Sequence, residues 1–374
     1  MTGRASDDER AALVALIGLR GMGPARVASV VGAAGSAVEA WSLVSDGDLD
    51  GIDLRIVKHR AGLVDGWADA ARAVDPGALL HRHVAAGVEV LLPGDAGWPS
   101  AFACDPEPPP VLFARGDVAL LERPGVAVVG TRRCTAGGAQ IAARFGAGLA
   151  DAGLTVISGL ALGVDGAAHR GALGAGGVPV GVVGSGLDVV YPARHRQLWA
   201  DVAEHGVLVA EAPLGAPPER WRFPARNRII AALALAVVVV ESGARGGSMS
   251  TAAEASDRDV PVLAVPGSVL AEQSVGTNQL LFDGSGIARD VADVLAELGL
   301  RVPSGQTRLF EPPDEASGPA GAVSAALSVV PATVEQVASA ADVGVTDALT
   351  ALARLEATGA ARRVPGGYVR AAVP

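Results

Sequence analysis

Phe223-Pro224-Ala225-Arg226-Asn227-Arg228-Ile229-Ile230 sets a Phe-Pro corner and two arginines against an apolar run, Ile229 to Val240. Guanidinium groups at the edge of a core are costly unless an anion binds them or carboxylates pair with them. The chemistry on offer is phosphate binding, and the glycine turns elsewhere in the chain supply places where that anion could sit.

Four such turns follow short apolar runs. Gly130-Thr131-Arg132-Arg133 follows Val126–Val129, and Ser158-Gly159-Leu160-Ala161-Leu162-Gly163-Val164-Asp165 follows Val156–Ile157. Gly184-Ser185-Gly186 follows Gly181–Val183, and Pro266-Gly267-Ser268 follows Val260–Val265. Each alone is also an ordinary tight turn. Together they make a rim of backbone donors beside arginine forks, more than one phosphate needs. Gly184-Ser185-Gly186 lacks the Gly-x-x-Gly continuation of a dinucleotide site.

Catalytic sets assemble less well. Ser158, Asp165 and His169 have the residue types of a hydrolase triad, but Ser158 lacks the Gly-x-Ser-x-Gly elbow. Asp165 and His169, at i and i+4, fit a helix-capping and hydrogen-bonding pair, with His169 a satisfied structural residue. Six scattered histidines without His-Glu-x-x-His give no metal motif, so neither metal nor cofactor is expected. Asp188 and Glu211 follow strands and read as acid/base groups or as partners for loop arginines; their separation is open.

The elements that must position these residues are legible as apolar runs at 126–129, 154–157, 178–183, 207–210, 237–240 and 260–265. They are short, β-branched and unalternating, as parallel strands buried on both faces are. Helical stretches lie between most of them: Gly138 to Ala150, Asp165 to Leu173, Arg194 to His205 and Met249 to Asp257. The alternation predicts an α/β fold, an extended Rossmann-like, doubly wound, mostly parallel sheet over residues 80–300. Val88 to Leu92 and Val111 to Ala114 read as two further strands around a Pro-rich connector. Residues 1–75 read as a small helical module of helix-hairpin-helix or SAM-like type, on the pattern Leu16-Ile17-Gly18-Leu19-Arg20-Gly21-Met22-Gly23-Pro24. That turn either aims N–H groups at a phosphate or simply joins two helices. Residues 301–321 read as a linker, and 322–374 as a winged-helix domain of three helices and a Gly366-Gly367 hairpin. Its third helix carries Arg354 alone, so a protein-contact or regulatory role is expected over sequence reading.

At 374 residues the chain is long enough for two or three domains, and its net charge of −10 argues against indiscriminate binding of nucleic acid through a global field. Lys58 is its one lysine, and a GC-rich genome accounts for that bias as well as binding does. The absence of a long apolar segment or signal region predicts a cytoplasmic protein without membrane insertion. Cys104 and Cys134 form no disulfide framework.

In order along the chain, Gly130-Thr131-Arg132, Ser158-Gly159 to Gly163-Val164-Asp165 and Ala168-His169, Gly186-Leu187-Asp188 with Tyr191-Pro192, Glu211 to Pro218, Phe223-Pro224 with Arg226-Asn227-Arg228-Ile229-Ile230, Ser248 with Thr251-Ala252, and Val265-Pro266-Gly267 closely resemble the DNA-processing protein A family, also called Smf. The resemblance spans roughly Leu80 to Leu298. Met249-Ser250 and Arg245-Gly246-Gly247 depart from its usual pattern. It implies a non-catalytic protein that binds single-stranded DNA, protects incoming strands in natural transformation, forms homodimers and loads a RecA-type recombinase. It implies that Arg132 and Arg226 or Arg228 contact phosphates and that Phe223 or Asn227 lines a base pocket. The full expected set is Gly130, Arg132, Ser158, Gly159, Gly163, Asp165, His169, Gly184, Gly186, Phe223, Arg226, Asn227, Arg228 and Gly267. The alternative is a nucleotide-processing enzyme of the lysine-decarboxylase-like phosphoribohydrolase group. Its Pro-Gly-Gly-x-Gly-Thr-x-x-Glu loop has only the remnant Glu241 to Ser248 here.

Overall fold

A computed structural model describes residues 5–54, 60–300, 319–328, 331–357, 360–364 and 367–370. The chain divides into two compact units, residues 1–306 and 307–374. Most of the expected linker, residues 301–318, lies outside the described residues, as do Gly366 and the side chain of Arg354.

Among the described residues the first unit opens with five helices: α1 (Asp7–Gly18), α2 (Pro24–Ala34), α3 (Ala37–Asp46), α4 (Arg60–Arg72) and α5 (Pro76–Ala85). Ser6 caps α1 by accepting from the Glu9 N–H. The Glu9 carboxylate in turn accepts from the Ala37 N–H at 2.8 Å, where α3 starts. Buried Arg10 in α1 pairs with Asp95 at 2.6 Å, and Asp95 also accepts from the Leu92 N–H. That pair fastens the helices to the sheet.

The remainder of this unit is β1 (Glu89–Leu91), β2 (Leu112–Gly116), β3 (Gly125–Val129), α6 (Ala136–Asp151), β4 (Thr155–Ser158), α7 (Val164–Gly174), β5 (Pro179–Val183), α8 (Arg196–His205), β6 (Val207–Ala210), α9 (Arg222–Ala232), β7 (Ala236–Val239), α10 (Gly247–Ser256), β8 (Val262–Ala264), α11 (Val275–Phe282), β9 (Gly286–Ile287) and α12 (Val291–Glu297). They form one nine-stranded sheet in the order β1-β2-β6-β5-β4-β3-β7-β8-β9. From β6 to β9 all neighbours are parallel; β2 runs antiparallel to β6, and β1 to β2. Every residue of β3 to β7 is buried, which is why those runs are apolar without alternation. The chain leaves β3 toward β4 on one side and returns through α9 to β7 on the other. That reversal opens a crevice at the carboxyl ends of β3 and β7.

Two sequence expectations are corrected here. Phe223-Pro224 is no corner: Pro224 sits in the first turn of α9, where a missing N–H disrupts nothing. The apolar run Ile229 to Val240 is not one element either. Its first four residues finish α9, Leu233 ends the helix, and Ala236–Val239 make β7.

The second unit contains α13 (Pro319–Ala326), α14 (Val334–Ala341), α15 (Val345–Ala357) and the antiparallel pair β10 (Ala361–Val364) and β11 (Gly367–Arg370). Thr333 and Gln336 close a capping box on α14, and Val323, Val337, Leu352 and Tyr368 share the core. Among the described residues, no single helix is long and apolar enough to cross a membrane.

Candidate nucleic-acid interface

Helix α9 carries two faces. Phe223, Arg226, Asn227 and Ile230 stand at i, i+3, i+4 and i+7 and line a cavity of about 770 Å³ at the β3/β7 crevice. Trp221, Pro224, Ala225 and Arg228 repeat that spacing on another side and line a different groove. Two residues along a helix are about 200° around its axis, so Arg226 and Arg228 leave α9 in nearly opposite directions.

The cavity gathers helix N-termini. α7, α9 and α10 all begin at its wall without a side-chain cap, although main-chain carbonyls take the N–H groups of Val164, Gly166, Arg222 and Met249. α6 differs, because Thr135 caps it while the Thr135 N–H and hydroxyl donate to Glu241 at 2.8 and 2.6 Å. The Thr131 N–H donates to the Glu241 carbonyl at 2.7 Å, so the loops after β3 and β7 are sewn together. This seam holds Gly130, Thr131 and Arg132 at the cavity edge. Arg132, Arg133 and Arg220 are exposed there, and Arg226 is buried in the floor. Against these four cations Asp165 is the carboxylate in the wall. Arg132 lies over the Phe223 ring at 4.9 Å, and Tyr191 packs on that ring at 5.5 Å between centroids.

The floor is built around Asp165. Its Oδ2 accepts from the N–H groups of Gly159 and Ala161, at 3.2 and 3.4 Å, and so shapes the loop after β4. Leu160 between them is held at φ +53°, a left-handed conformation unfavourable for leucine and sustained by its burial. Burial pushes the Asp165 carboxyl up, and the nearby Arg226 guanidinium pulls it back. Arg226 donates from Nη1 to the Val182 carbonyl near the end of β5, while its Nε finds no partner. Burial lowers its pKa to about 10, so it remains a cation at neutral pH. Asn227 donates to the Gly247 carbonyl at 3.2 Å and holds the start of α10.

The other expected residues serve elsewhere. Ser158 is fully buried, and its hydroxyl donates to the Val128 carbonyl at 2.6 Å, stitching β4 to β3. Gly163 caps α7 at φ +78°, with its Cα against the carbonyls of Thr131 and Arg132 where no side chain fits. His169 is not a satisfied residue paired to Asp165. It is fully buried with both ring nitrogens unpartnered, and burial, with His195 and Arg226 near, lowers its pKa to about 3. Ser158, Asp165 and His169 therefore form no relay. Gly184 and Gly186 back onto the start of α9 and the Pro213–Gly215 loop. Gly267 is fastened to Asn278 and packs on Ser274, outside the cavity. Arg228 pairs with Glu211 at 2.5 Å, both buried, and lies outside this cavity. Asp188 accepts from the Gly215 N–H. Among the described residues no group of three or more His, Cys, Asp or Glu side chains is placed to hold a metal ion.

The expected set left out Tyr191, Arg133, Gly246, Gly247, Ser248 and Thr251, which the sequence analysis named only as parts of motifs, and Arg220 was not named at all. Ser248 and Thr251 carried a signal, the i, i+3 spacing of polar residues on α10; Arg220 carried none.

Residues 89–299, more than half of the chain, match the sequence profile of the family described as DNA recombination-mediator protein A. The chain is similar to the protein Smf of Escherichia coli strain K12, with 36% identity over 75% of this chain and 77% of that one. It resembles the X-ray structure of DNA processing protein A from Streptococcus pneumoniae at a TM-score of 0.66 and 31% identity, over 79% of this chain and 99% of that one. It also resembles the DNA processing protein A of Helicobacter pylori, whose structure was described for its single-stranded DNA binding mode. There the TM-score is 0.51 and the identity 31%, over 56% of this chain and 95% of that one.

Proposed function

This chain belongs to the DNA recombination-mediator protein A family, and from that membership we propose that it binds single-stranded DNA non-catalytically in the β3/β7 cavity. One observation carries the reading: four arginines line one cavity, at the starts of three helices, and that cavity has a single carboxylate in its wall. Phosphates satisfy that arrangement, with Arg132, Arg133 and Arg220 tracking successive groups and Arg226 fixing the field from below. Phe223, with Tyr191 beside it, offers a base a stacking surface, which suits an unpaired strand. The likeness to the Helicobacter pylori protein supports the same ligand class.

The cellular role that fits is protection of incoming single strands in the cytoplasm and their transfer to a RecA-type recombinase, by a homodimer. Residues 322–374, as a winged-helix domain, would serve protein contact more than sequence reading, since the segment carries four arginines and four carboxylates. The comparisons do not favour the phosphoribohydrolase alternative.

Gel shifts with single- and double-stranded oligonucleotides at two salt concentrations test this. Single strands should be preferred, and Arg132→Ala with Arg220→Ala should flatten the log–log salt slope by ~0.7 for each phosphate no longer neutralised. A preference for duplex, or a slope unchanged in the folded double variant, would sink it.

A further inference from the structure

The other face of α9 meets the turn between α1 and α2. Together they enclose a second groove of about 1000 Å³, lined by Arg20, Gly23, Ala25, Trp221, Pro224 and Arg228 among others. Pro224 also lines the first cavity, so the two share one wall residue.

This groove has its own anion-binding features. α2 starts here after its N-cap Gly23, with no side-chain cap; Pro24 has no N–H and those of Arg26 and Val27 donate to the Gly23 carbonyl, which leaves the Ala25 N–H for an anion. Arg26 donates to the Gly21 carbonyl and, at 3.0 Å, to the Leu54 carbonyl, which fixes the turn's shape and turns those acceptors away from a ligand. Arg20 is exposed at the rim. Arg228 is 8% exposed; Glu211 takes its Nη2, and its Nη1 has no hydrogen-bond partner. Glu211 balances that guanidinium, so the groove's positive charge rests on Arg20 and Arg26.

An aromatic surface stands beside the charge. Trp221 is 45% exposed, with Arg222 over its ring at 4.6 Å and its Nε1 held by Glu219 at 2.7 Å. Two of the wall's three carboxylates are occupied: Glu219 by Trp221 and Arg222, and Glu254 by Arg258 at 2.7 Å. Glu107 is the third.

We infer that this groove takes a nucleotide of the same strand, one that has passed over Pro224 from the first cavity. Its base lies on Trp221 and its phosphate at the start of α2 with Arg20. The inference rests on the proposed single-strand reading and extends it to a second surface. Charge selects this occupant over an apolar peptide, because the helix start and two arginines call for an anion, and the fixed indole selects it over an acidic one, because it calls for a planar group.

Fluorescence anisotropy of the full chain with oligonucleotides of about 4 and about 15 nucleotides, a range that brackets one and two subsites, is the test. Arg20→Glu and Trp221→Ala should each weaken the longer strand about five-fold or more and leave the shorter one unchanged, with Trp221→Phe restoring most of the loss. Arg132→Ala should weaken both lengths. If the groove variants leave the longer strand unaffected while Arg132→Ala still weakens it, the second surface is wrong and the first reading stands. Equal weakening of both lengths by the groove variants also overturns it. A wild-type chain that captures neither length, or an Arg132→Ala chain that binds both normally, overturns the first reading and this one with it.

Discussion

The guanidinium of Arg226 occupies the space that a side chain on Gly159 would need. α9 can seat its arginine over the ends of β4 and β5 only because residue 159 has no Cβ. Gly159→Ala should therefore push Arg226 off the Val182 carbonyl, with an overpacking cost of about 1–3 kcal/mol. Strand affinity should fall with it, since Arg226 is the cation beneath the cavity. Urea denaturation and anisotropy on the same preparation check both effects. Unchanged stability would show that the floor is loose.

Arg228 and Glu211 give a different outcome. Both are buried, and burial pushes the Glu211 carboxyl up against the pull of Arg228. Arg228→Met leaves that carboxylate alone in the interior and should cost about 3–5 kcal/mol. The double variant Arg228→Met with Glu211→Leu should recover most of the loss, because an apolar pair replaces an ion pair at little cost. Denaturant midpoints of the two single variants and the double variant settle it. Additive losses would mean that the pair is not coupled.

The strands of this sheet were legible because burial on both faces removes alternation, leaving runs such as Val126–Val129 that fit little else. α9 was not. Pro224 and the arginines mask a helix whose two faces emerge only when Trp221 to Ile230 is read with a 3.6-residue period through a first-turn proline. Arg132 could be found from its place after a strand-end glycine. Which arginine of the 226/228 pair faces the crevice depended on Glu211, and no local pattern pairs residues seventeen apart. Gly267 fits the strand-end rule equally well, yet β8 lies one strand beyond the reversal and its loop closes on Asn278. Ser158 and His169 look chemical in sequence because burial of their polar atoms is a tertiary fact.

His169 links stability to pH. Its pKa falls from 6.5 to about 3 in the folded chain, chiefly through burial, so the unfolded chain binds a proton that the native one refuses between those values. Stability from this group is full above pH 6.5 and is lost as pH falls toward 3. Asp165 and Glu211, with raised values, act in the opposite sense, so the comparison needs a variant that alters His169 alone. Relative to His169→Phe, the wild-type chain should lose roughly 2 kcal/mol between pH 6.5 and about 5. Parallel stability curves for the two chains would mean that a partner reaches the imidazole in solution.

Phe223 separates stacking from charge. Its ring carries Arg132 over it and Tyr191 tilted against it, so its removal takes away a base surface and frees an arginine at once. Phe223→Leu keeps apolar bulk but no π-face, and should weaken a single strand by about five-fold or more while leaving the salt slope intact. Arg132→Ala should do the reverse to the slope, lowering it by ~0.7. An oligonucleotide lacking bases decides between the two contributions. It should bind wild type and Phe223→Leu alike, yet still lose affinity with Arg132→Ala. If Phe223→Leu weakens the base-free backbone as much as the normal strand, the ring positions Arg132 and is not a base platform.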